Sequence, residues 1–193
     1  YLDPAELSDL WDRLPCVGDV PAAVAYLEGR AIQPGRVELL DLARVVTGSE
    51  DLPAWADGWS SWWKQNQRAP LLVVRLVDPH GVPRGMLART TASEPVNGKS
   101  RAVKGYQRRG LVMACPFARS LLRDGRPAWW MKDAPLRVVV TEGEADFWTL
   151  ATWWTTSDEH APATLGVFGG SWSPELADRI PDTAPIIMRG ARI

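Results

Sequence analysis

Three acidic residues follow directly on a run of valines in the second half of the chain. Residues 138–140 are all valine, and Glu142, Glu144 and Asp146 follow at alternate positions. If the valines form a buried strand, Glu142 lies at its carboxyl end, the edge at which open α/β sheets bind ligands. Carboxylate oxygens are the preferred ligands of hard divalent cations such as Mg²⁺. We therefore predict Glu142 as a catalytic metal ligand, Glu144 as a second ligand and Asp146 as a second catalytic residue.

Each of these acids also has an ordinary structural alternative. Asp146 falls in the first turn of a predicted helix, where a negative charge complements the helix dipole. Glu142 would serve equally well as a cap or as a surface charge. The sequence leaves both alternatives open.

A second set of residues with chemical potential is basic. Residues 89–126 carry nine Lys and Arg against two acids, whereas residues 1–67 carry five against eleven, and the formal net charge is −1. A local excess of cations is typical of a surface that binds nucleic-acid phosphates, although a solvated loop is the alternative. The candidate contacts to nucleic acid or nucleotide are Arg89, Lys99, Arg101, Lys104, Arg108 and Arg109.

The chain contains eleven tryptophans, several of them close together. The clusters are Trp59, Trp62 and Trp63; Trp129 and Trp130; and Trp153 and Trp154. Aromatic rings stack on single-stranded bases, but they more often bury apolar area in a core. We expect core packing for these clusters.

Several other classes of site lack their motifs. The sequence contains neither a P-loop nor a Gly-x-Ser-x-Gly element, and His80 and His160 have no ligand-spaced partner. Cys16 and Cys115 each stand alone, which argues against a zinc ribbon or a disulfide framework and favours two reduced core thiols in a cytoplasmic protein. No apolar run approaches the roughly 20 residues of a membrane span.

Residues 1–68 are predicted to form a helical part. One helix is expected over residues 4–14, one from Pro21 with Asp19 as its cap, and one near residues 37–42. Proline follows or opens each of these segments, which fixes their limits.

The basic cluster falls in a predicted β-rich part, residues 69–135. Two strands, over residues 71–77 and 82–91, are expected to form a hairpin around a turn at residues 78–81. Residues 92–110 are predicted to be a loop or an irregular hairpin, so the basic side chains would lie on its surface.

The acidic cluster falls in residues 136–193, which alternate between strand and helix patterns. Strands are predicted over residues 138–140, 164–168 and 185–188, with helices over residues 145–154 and after a Ser173 cap. This alternation favours a parallel βαβ unit, and the whole chain is assigned to the α/β class, or α+β overall.

The order strand, Glu142, Gly143, two residues, Asp146, helix resembles the opening of a Toprim domain, the metal-binding fold of bacterial-type primases, topoisomerases and some nucleases. Residues 25–32 (Ala-Tyr-Leu-Glu-Gly-Arg-Ala-Ile) are similar to the Tyr-Leu-x-x-Arg-Gly-Ile segment of bacterial-type primase cores, with alanine in place of the glycine. Residues 73–89 resemble the hairpin of the same family, and the motifs keep the family's order over roughly residues 20–188.

This resemblance implies a primase-type nucleotidyltransferase of the kind found in plasmids, phages and other mobile elements. Its implied cofactor is Mg²⁺ or Mn²⁺, and its implied partners are a single-stranded DNA template, nucleoside triphosphates and a replicative helicase. Glu142 would hold the metal or act as a general acid or base, while Lys99 and Lys104 would face the template or nucleotide.

The resemblance is incomplete at the end of the chain. A Toprim domain completes its metal site with Asp-x-Asp after the third strand, but residues 189–193 read Arg-Gly-Ala-Arg-Ile and no aspartate follows Asp182. We expect a C-terminally incomplete member of the family, and the first residue, which is not Met, also indicates a fragment. The alternatives are a non-catalytic module that binds single-stranded DNA or nucleotides, and a Toprim nuclease.

Overall fold

The computed structural model describes residues 1–50, 52–125, 136–154, 161–169 and 171–189. The chain divides into two compact units. The first consists of Tyr1–Arg75 and Arg84–Arg108, and the second of Leu76–Pro83 and Arg109–Ile193.

The first unit combines helices with an antiparallel sheet. Its helices are α1 (Pro4–Arg13), α2 (Pro21–Glu28), α3 (Pro34–Leu39) and α4 (Asp57–Gln65). Its sheet has the strand order β1 (Arg44–Val46), β2 (Leu71–Val77), β3 (Pro83–Thr90), β4 (Ser100–Ala102). The hairpin and the helices expected over residues 4–14 and from Pro21 are confirmed, whereas the helix expected near residues 37–42 lies earlier, at Pro34–Leu39. Strand β1 was not predicted, and β4 falls within residues 92–110, which were predicted to be a loop or an irregular hairpin.

The helix starts show how local sequence fixes these limits. The Asp3 carboxylate accepts a hydrogen bond from the Ala5 N–H at 2.7 Å, and α1 begins at Pro4. Helix α2 begins at Pro21 as predicted, but its cap is Val20 rather than Asp19. Asp19 lies in a preceding 3₁₀ turn, and its carboxylate accepts a hydrogen bond from the Cys16 N–H at 3.3 Å.

An apolar cluster packs α1 and α4 against one face of the sheet in the first unit. The helices α1 and α4 contribute Leu7, Leu10, Trp11, Trp59 and Trp62, and the sheet contributes alternate residues such as Leu71, Val73, Met86 and Ala88. Because strand side chains alternate between faces, these sheet residues share one face. The core expectation is thus confirmed for Trp59, Trp62 and Trp63 but is wrong for Trp153, which is 68% exposed at the end of the second unit's helix Glu144–Trp153. Trp129 and Trp130 lie outside the described residues.

The second unit is built on a mixed sheet with the strand order β5, β7, β6, β8. Its elements are β5 (Met113–Ala114), α5 (Pro116–Asp124), β6 (Val138–Glu142), α6 (Glu144–Trp153), β7 (Ala163–Val167), α7 (Pro174–Ala177) and β8 (Ile186–Arg189). Strand β6 runs parallel to both β7 and β8, which confirms the predicted βαβ pattern, whereas β5 runs antiparallel to β7. The Ser173 hydroxyl accepts a hydrogen bond from the Leu176 N–H at 3.2 Å and caps α7 as predicted.

None of the helices in the described part of the chain is both long and apolar enough to cross a membrane.

Candidate functional site

The carboxyl end of β6 presents Glu142 to solvent. Glu142 is the last residue of β6, pairs with Val167 of β7, and has an exposed side chain. Gly143 follows with φ 83° and ψ 167°, and its N–H donates to the Val167 carbonyl at 2.9 Å. This backbone conformation is almost restricted to glycine, and it lets α6 begin at the next residue. The turn therefore holds Glu142 at the edge of the sheet where the sequence placed it.

The other two acids lie in the first turn of α6 and have different environments. Asp146 is exposed, whereas Glu144 is 6% exposed and interacts with neighbouring groups of the protein. Two residues correspond to about 200° of helix rotation, so the two side chains leave α6 in nearly opposite directions. Glu142 and Asp146 are therefore the solvent-facing acids of this segment, and the buried Glu144 is the least accessible of the three predicted residues.

Asp146 lines a cavity of about 570 Å³ in the second unit. The remaining described lining residues are Thr149, Leu150, Trp153, Trp154 and Arg189. Among these described residues, one acid and one base line the same cavity. Arg189 is the last residue of β8 and pairs with Thr141, so its cation lies near the edge at which Glu142 emerges.

The acids fit part of a magnesium site. Mg²⁺ usually keeps several waters and binds through one or two carboxylates, which suits the exposed Glu142 and Asp146. Among the described residues, no group of three or more His, Cys, Asp or Glu could hold a metal ion. The described structure therefore offers carboxylates for a hydrated cation, not a closed protein cage.

The predicted basic residues are distributed over several environments. Lys99, Lys104 and Arg108 are exposed in the first unit, and Arg109 is exposed at the start of the second. Arg101 is half-buried in β4, where its guanidinium stacks over a tryptophan ring of α4. Three of the predicted cations, Lys99, Lys104 and Arg108, thus lie on the surface of the first unit.

Arg89 differs from the other basic candidates because it is only 8% exposed. Its Nε donates to the Tyr26 hydroxyl at 2.6 Å, and the Arg30 guanidinium lies 4.7 Å from the centre of the Tyr26 ring. These contacts join β3 to α2 through the residues of the Tyr-Leu-x-x-Arg segment. Arg89 is thus held within the fold, and a phosphate contact from it remains a prediction.

Trp59 and Trp62 of α4 and Asn66 at its end, which we call the clamp, bond to the backbone of the segment that carries Lys99, Lys104 and Arg108. We call that segment the basic segment. Trp59 Nε1 donates to the Arg101 carbonyl at 3.1 Å, and Trp62 Nε1 donates to the Val96 carbonyl at 2.9 Å. Asn66, which is 1% exposed, accepts from the Val96 N–H at 2.8 Å and donates to the Val96 carbonyl at 3.3 Å. Sequence reasoning missed this role of Asn66, and only the nearby tryptophans drew attention to α4.

Beside this clamp lies a smaller cavity of about 360 Å³ that we call the Tyr106 pocket. Its described lining residues are Gly58, Ser100, Arg101, Ala102, Val103, Lys104, Tyr106 and Arg108. The pocket combines three cations with an aromatic ring, and none of its described lining residues is acidic. It is therefore the part of the basic segment best suited to an anionic ligand.

The remaining candidate groups have structural environments. Cys115 is buried, and burial raises the pKa of its thiol, so the thiol stays neutral. Cys16 is half-buried and accepts a hydrogen bond from Arg44, and neither cysteine is in a disulfide. His80 lies 3.7 Å from Glu175 on the surface, while His160 lies outside the described residues.

No family model and no curated protein matches this sequence. Solved structures, in contrast, match the fold of this chain. The catalytic core of the E. coli primase aligns with 96% of this chain at a TM-score of 0.59 and 13% identity. The RNA polymerase domain of Mycobacterium tuberculosis primase DnaG aligns with 97% at a TM-score of 0.57 and 11% identity. A DnaG primase catalytic domain bound to single-stranded DNA aligns with 96% at a TM-score of 0.57 and 13% identity.

The chain has the fold of a DnaG-type primase catalytic core. The predicted resemblance and fold class are thereby confirmed at the level of the fold. The chain spans 59%, 61% and 65% of the length of the three primase structures, so it matches a large part of each primase core and not the whole.

Proposed function

We propose that this chain is the catalytic core of a primase-like nucleotidyltransferase that makes short primers on single-stranded DNA. The observation that carries the proposal is the exposed Glu142 at the carboxyl end of β6, held by the Gly143 turn, within a fold shared with primase cores. A Toprim-type metal site at this edge is part of the proposal. One of the similar structures is a primase domain bound to single-stranded DNA, which supports such a template for this chain.

In the proposed reaction, a primer 3′-hydroxyl attacks the α-phosphate of a nucleoside triphosphate and pyrophosphate leaves. Glu142, with Asp146 beside it on α6, would hold Mg²⁺ or Mn²⁺, and the bound cation would neutralise charge on the phosphates. Glu142 would also act as a general acid or base at this exposed sheet edge. Lys99, Lys104 and Arg108 would bind the template or nucleotide phosphates through their exposed cations.

A second candidate function is supported by the incomplete set of carboxylates. The described residues contain no cluster of three metal-binding side chains, and Arg189 shares the Asp146 cavity. A nearby cation opposes the binding of another cation. The alternative is therefore a non-catalytic module that binds single-stranded DNA or nucleotides through the basic segment alone.

Primer synthesis on single-stranded DNA with Mg²⁺ or Mn²⁺ tests the two candidates. We would compare the wild-type chain with Glu142→Gln, Asp146→Asn and the control Glu175→Gln, which alters an exposed acid of α7. Synthesis that is lost in Glu142→Gln and kept in Glu175→Gln would support the enzyme. Absence of synthesis together with salt-sensitive DNA binding would favour the binding module, and absence of both would contradict both candidates.

A further inference from the structure

The Tyr106 pocket contains an aromatic ring that the core does not use. Tyr106 is 37% exposed, whereas Trp59 and Trp62 in the neighbouring helix are 1% and 0% exposed. The Tyr106 hydroxyl makes no hydrogen bond with the other described residues, and Tyr106 is one of the residues that line the cavity. Neither core packing nor a structural hydrogen bond therefore accounts for a tyrosine at this position.

The pocket walls are fixed before any ligand binds. One wall is β4 and the following turn, and the other is the start of α4 at Gly58. The Arg101 guanidinium joins the two walls, because it donates to the Gly58 carbonyl at 3.3 Å and lies 5.3 Å from the Trp62 ring centre. Trp59 holds the same strand through the Arg101 carbonyl. A ligand would thus meet a strand β4 and a start of α4 that are already joined, which lowers the ordering penalty for this part of the pocket.

The chemistry of the pocket matches one class of ligand. A site that recognised phosphate alone would need cations but no open aromatic ring. Lys104 and Arg108 supply cations, Ser100 supplies a hydroxyl, and Tyr106 supplies a π-face on which any base can stack. The volume of about 360 Å³ lies in the range of small-ligand sites.

We propose that the Tyr106 pocket binds one nucleotide of a single strand, with its base stacked on Tyr106 and its phosphates beside Lys104 and Arg108. This inference rests on the proposed function, since it assumes that the basic segment binds nucleic acid. It also predicts a preference for single-stranded over duplex DNA. Bases paired in a duplex are stacked within the helix, so they are not available to stack on Tyr106.

The test is a binding measurement with three labelled DNAs of about 12 nucleotides: a single strand, the same strand with abasic sugars, and a duplex. The proteins are the wild type, Tyr106→Leu, Tyr106→Phe and Lys104→Gln. Tyr1→Leu is the matched control, because Tyr1 is also exposed and lies in the same unit. Fluorescence anisotropy at several salt concentrations gives both the affinity and its salt dependence.

We expect the wild type to bind the base-bearing strand about tenfold more tightly than the abasic strand. Tyr106→Leu should remove that preference without changing the salt dependence, whereas Tyr106→Phe and Tyr1→Leu should keep it. Lys104→Gln should lower the slope of log affinity against log salt by about 0.7 and keep the preference.

Two results would overturn the inference. Equal binding of abasic and base-bearing strands by the wild type, or an unchanged preference in Tyr106→Leu, would exclude base stacking on Tyr106 while leaving DNA binding by the basic segment intact. No binding of any strand at low salt would contradict the proposed function itself and this inference with it.

Discussion

The basic segment of the first unit and the acidic sheet edge of the second unit hold their charged residues in different ways. The basic segment is fixed by three side chains, Trp59 and Trp62 of α4 and Asn66 at its C-cap, which bond to its backbone. The acidic edge relies on backbone conformation, since a single glycine turn separates Glu142 from α6. The first arrangement depends on buried side chains, and the second depends on one dihedral angle.

The largest expected effect comes from removal of the central side chain of the clamp. Trp62 is 0% exposed, donates to the Val96 carbonyl and lies under Arg101, so Trp62→Ala should lower the free energy of unfolding by about 3–5 kcal/mol. Trp153→Ala in the second unit is the control, because Trp153 is 68% exposed and its loss should change stability by only about 0.5 kcal/mol. Urea unfolding of both variants measures the difference, and equal losses would contradict the comparison.

Asn66→Ala should have the next largest effect. It removes the acceptor of the Val96 N–H and a donor to the Trp62 carbonyl, each at 2.8 Å, and should destabilise the protein by about 1–3 kcal/mol. DNA binding should weaken as well, because the basic segment would have to be ordered on binding. Gln65→Ala is the matched control, since Gln65 is an exposed amide of α4 whose side chain accepts only from Asn97 among its described contacts. An Asn66→Ala protein with wild-type stability would mean that the clamp is unimportant.

Gly143→Ala tests whether the backbone conformation of Gly143 stabilises the turn between Glu142 and α6. A β-carbon there would meet no atom within 4 Å, so the expected loss of about 1–3 kcal/mol arises from backbone strain alone. Gly169, which follows the neighbouring strand β7, also has space for a β-carbon but lacks the positive φ, so Gly169→Ala should be nearly neutral. Thermal unfolding distinguishes the two, and similar midpoints would remove the dihedral angle as the cause.

The second unit should also show an alkaline pH dependence through Cys115. Because burial raises the pKa of this thiol, the unfolded chain ionises it at lower pH than the folded protein does. Its contribution to stability is complete below the unfolded pKa and is lost as pH rises toward the folded one, by at most about 1.4 kcal/mol per pH unit. The stability difference between wild type and Cys115→Ala should therefore shrink between about pH 8 and pH 10. A constant difference would exclude this coupling.

The smallest expected effects are those of the exposed acids on folding. Glu142→Gln and Asp146→Asn should each change the free energy of unfolding by less than about 0.5 kcal/mol, because both side chains face solvent. The buried Glu144 provides the contrast, and Glu144→Ala should destabilise the protein measurably. Chemical denaturation is the check. A large loss in Glu142→Gln would indicate a structural role and weaken its assignment as a functional residue.

Local patterns in the sequence were sufficient for most of the fold. Strand β2, the turn at Asp78 and the Ser173 cap follow from neighbouring residues, and the structure contains all three. The position of Glu142 was predictable as well, because a valine run and a glycine determine it. Strands β1 and β4 were not, since three residues carry too little periodicity and their pairing depends on partners far along the chain.

The contacts between the clamp and the basic segment show why this part of the candidate site could not be predicted from the sequence. Asn66 and Val96 are 30 residues apart, and Trp59 and Arg101 are 42 apart. A side chain that bonds to a distant backbone carbonyl leaves no motif, because any residue type supplies that carbonyl. Trp59 and Trp62, which the sequence assigned to the core, also donate their ring N–H groups to the backbone of the basic segment.

Strand β8 has a practical consequence for anyone who concentrates this protein. Its Ile186, Ile187 and Met188 are 45%, 44% and 66% exposed, and within the described structure it pairs only with β6. An open apolar strand recruits strands from other molecules, so the tendency to precipitate should concentrate in these few residues. A lysine in place of Ile187 would act as a gatekeeper, and it should raise the concentration at which samples stay clear far more than a lysine placed on any helix.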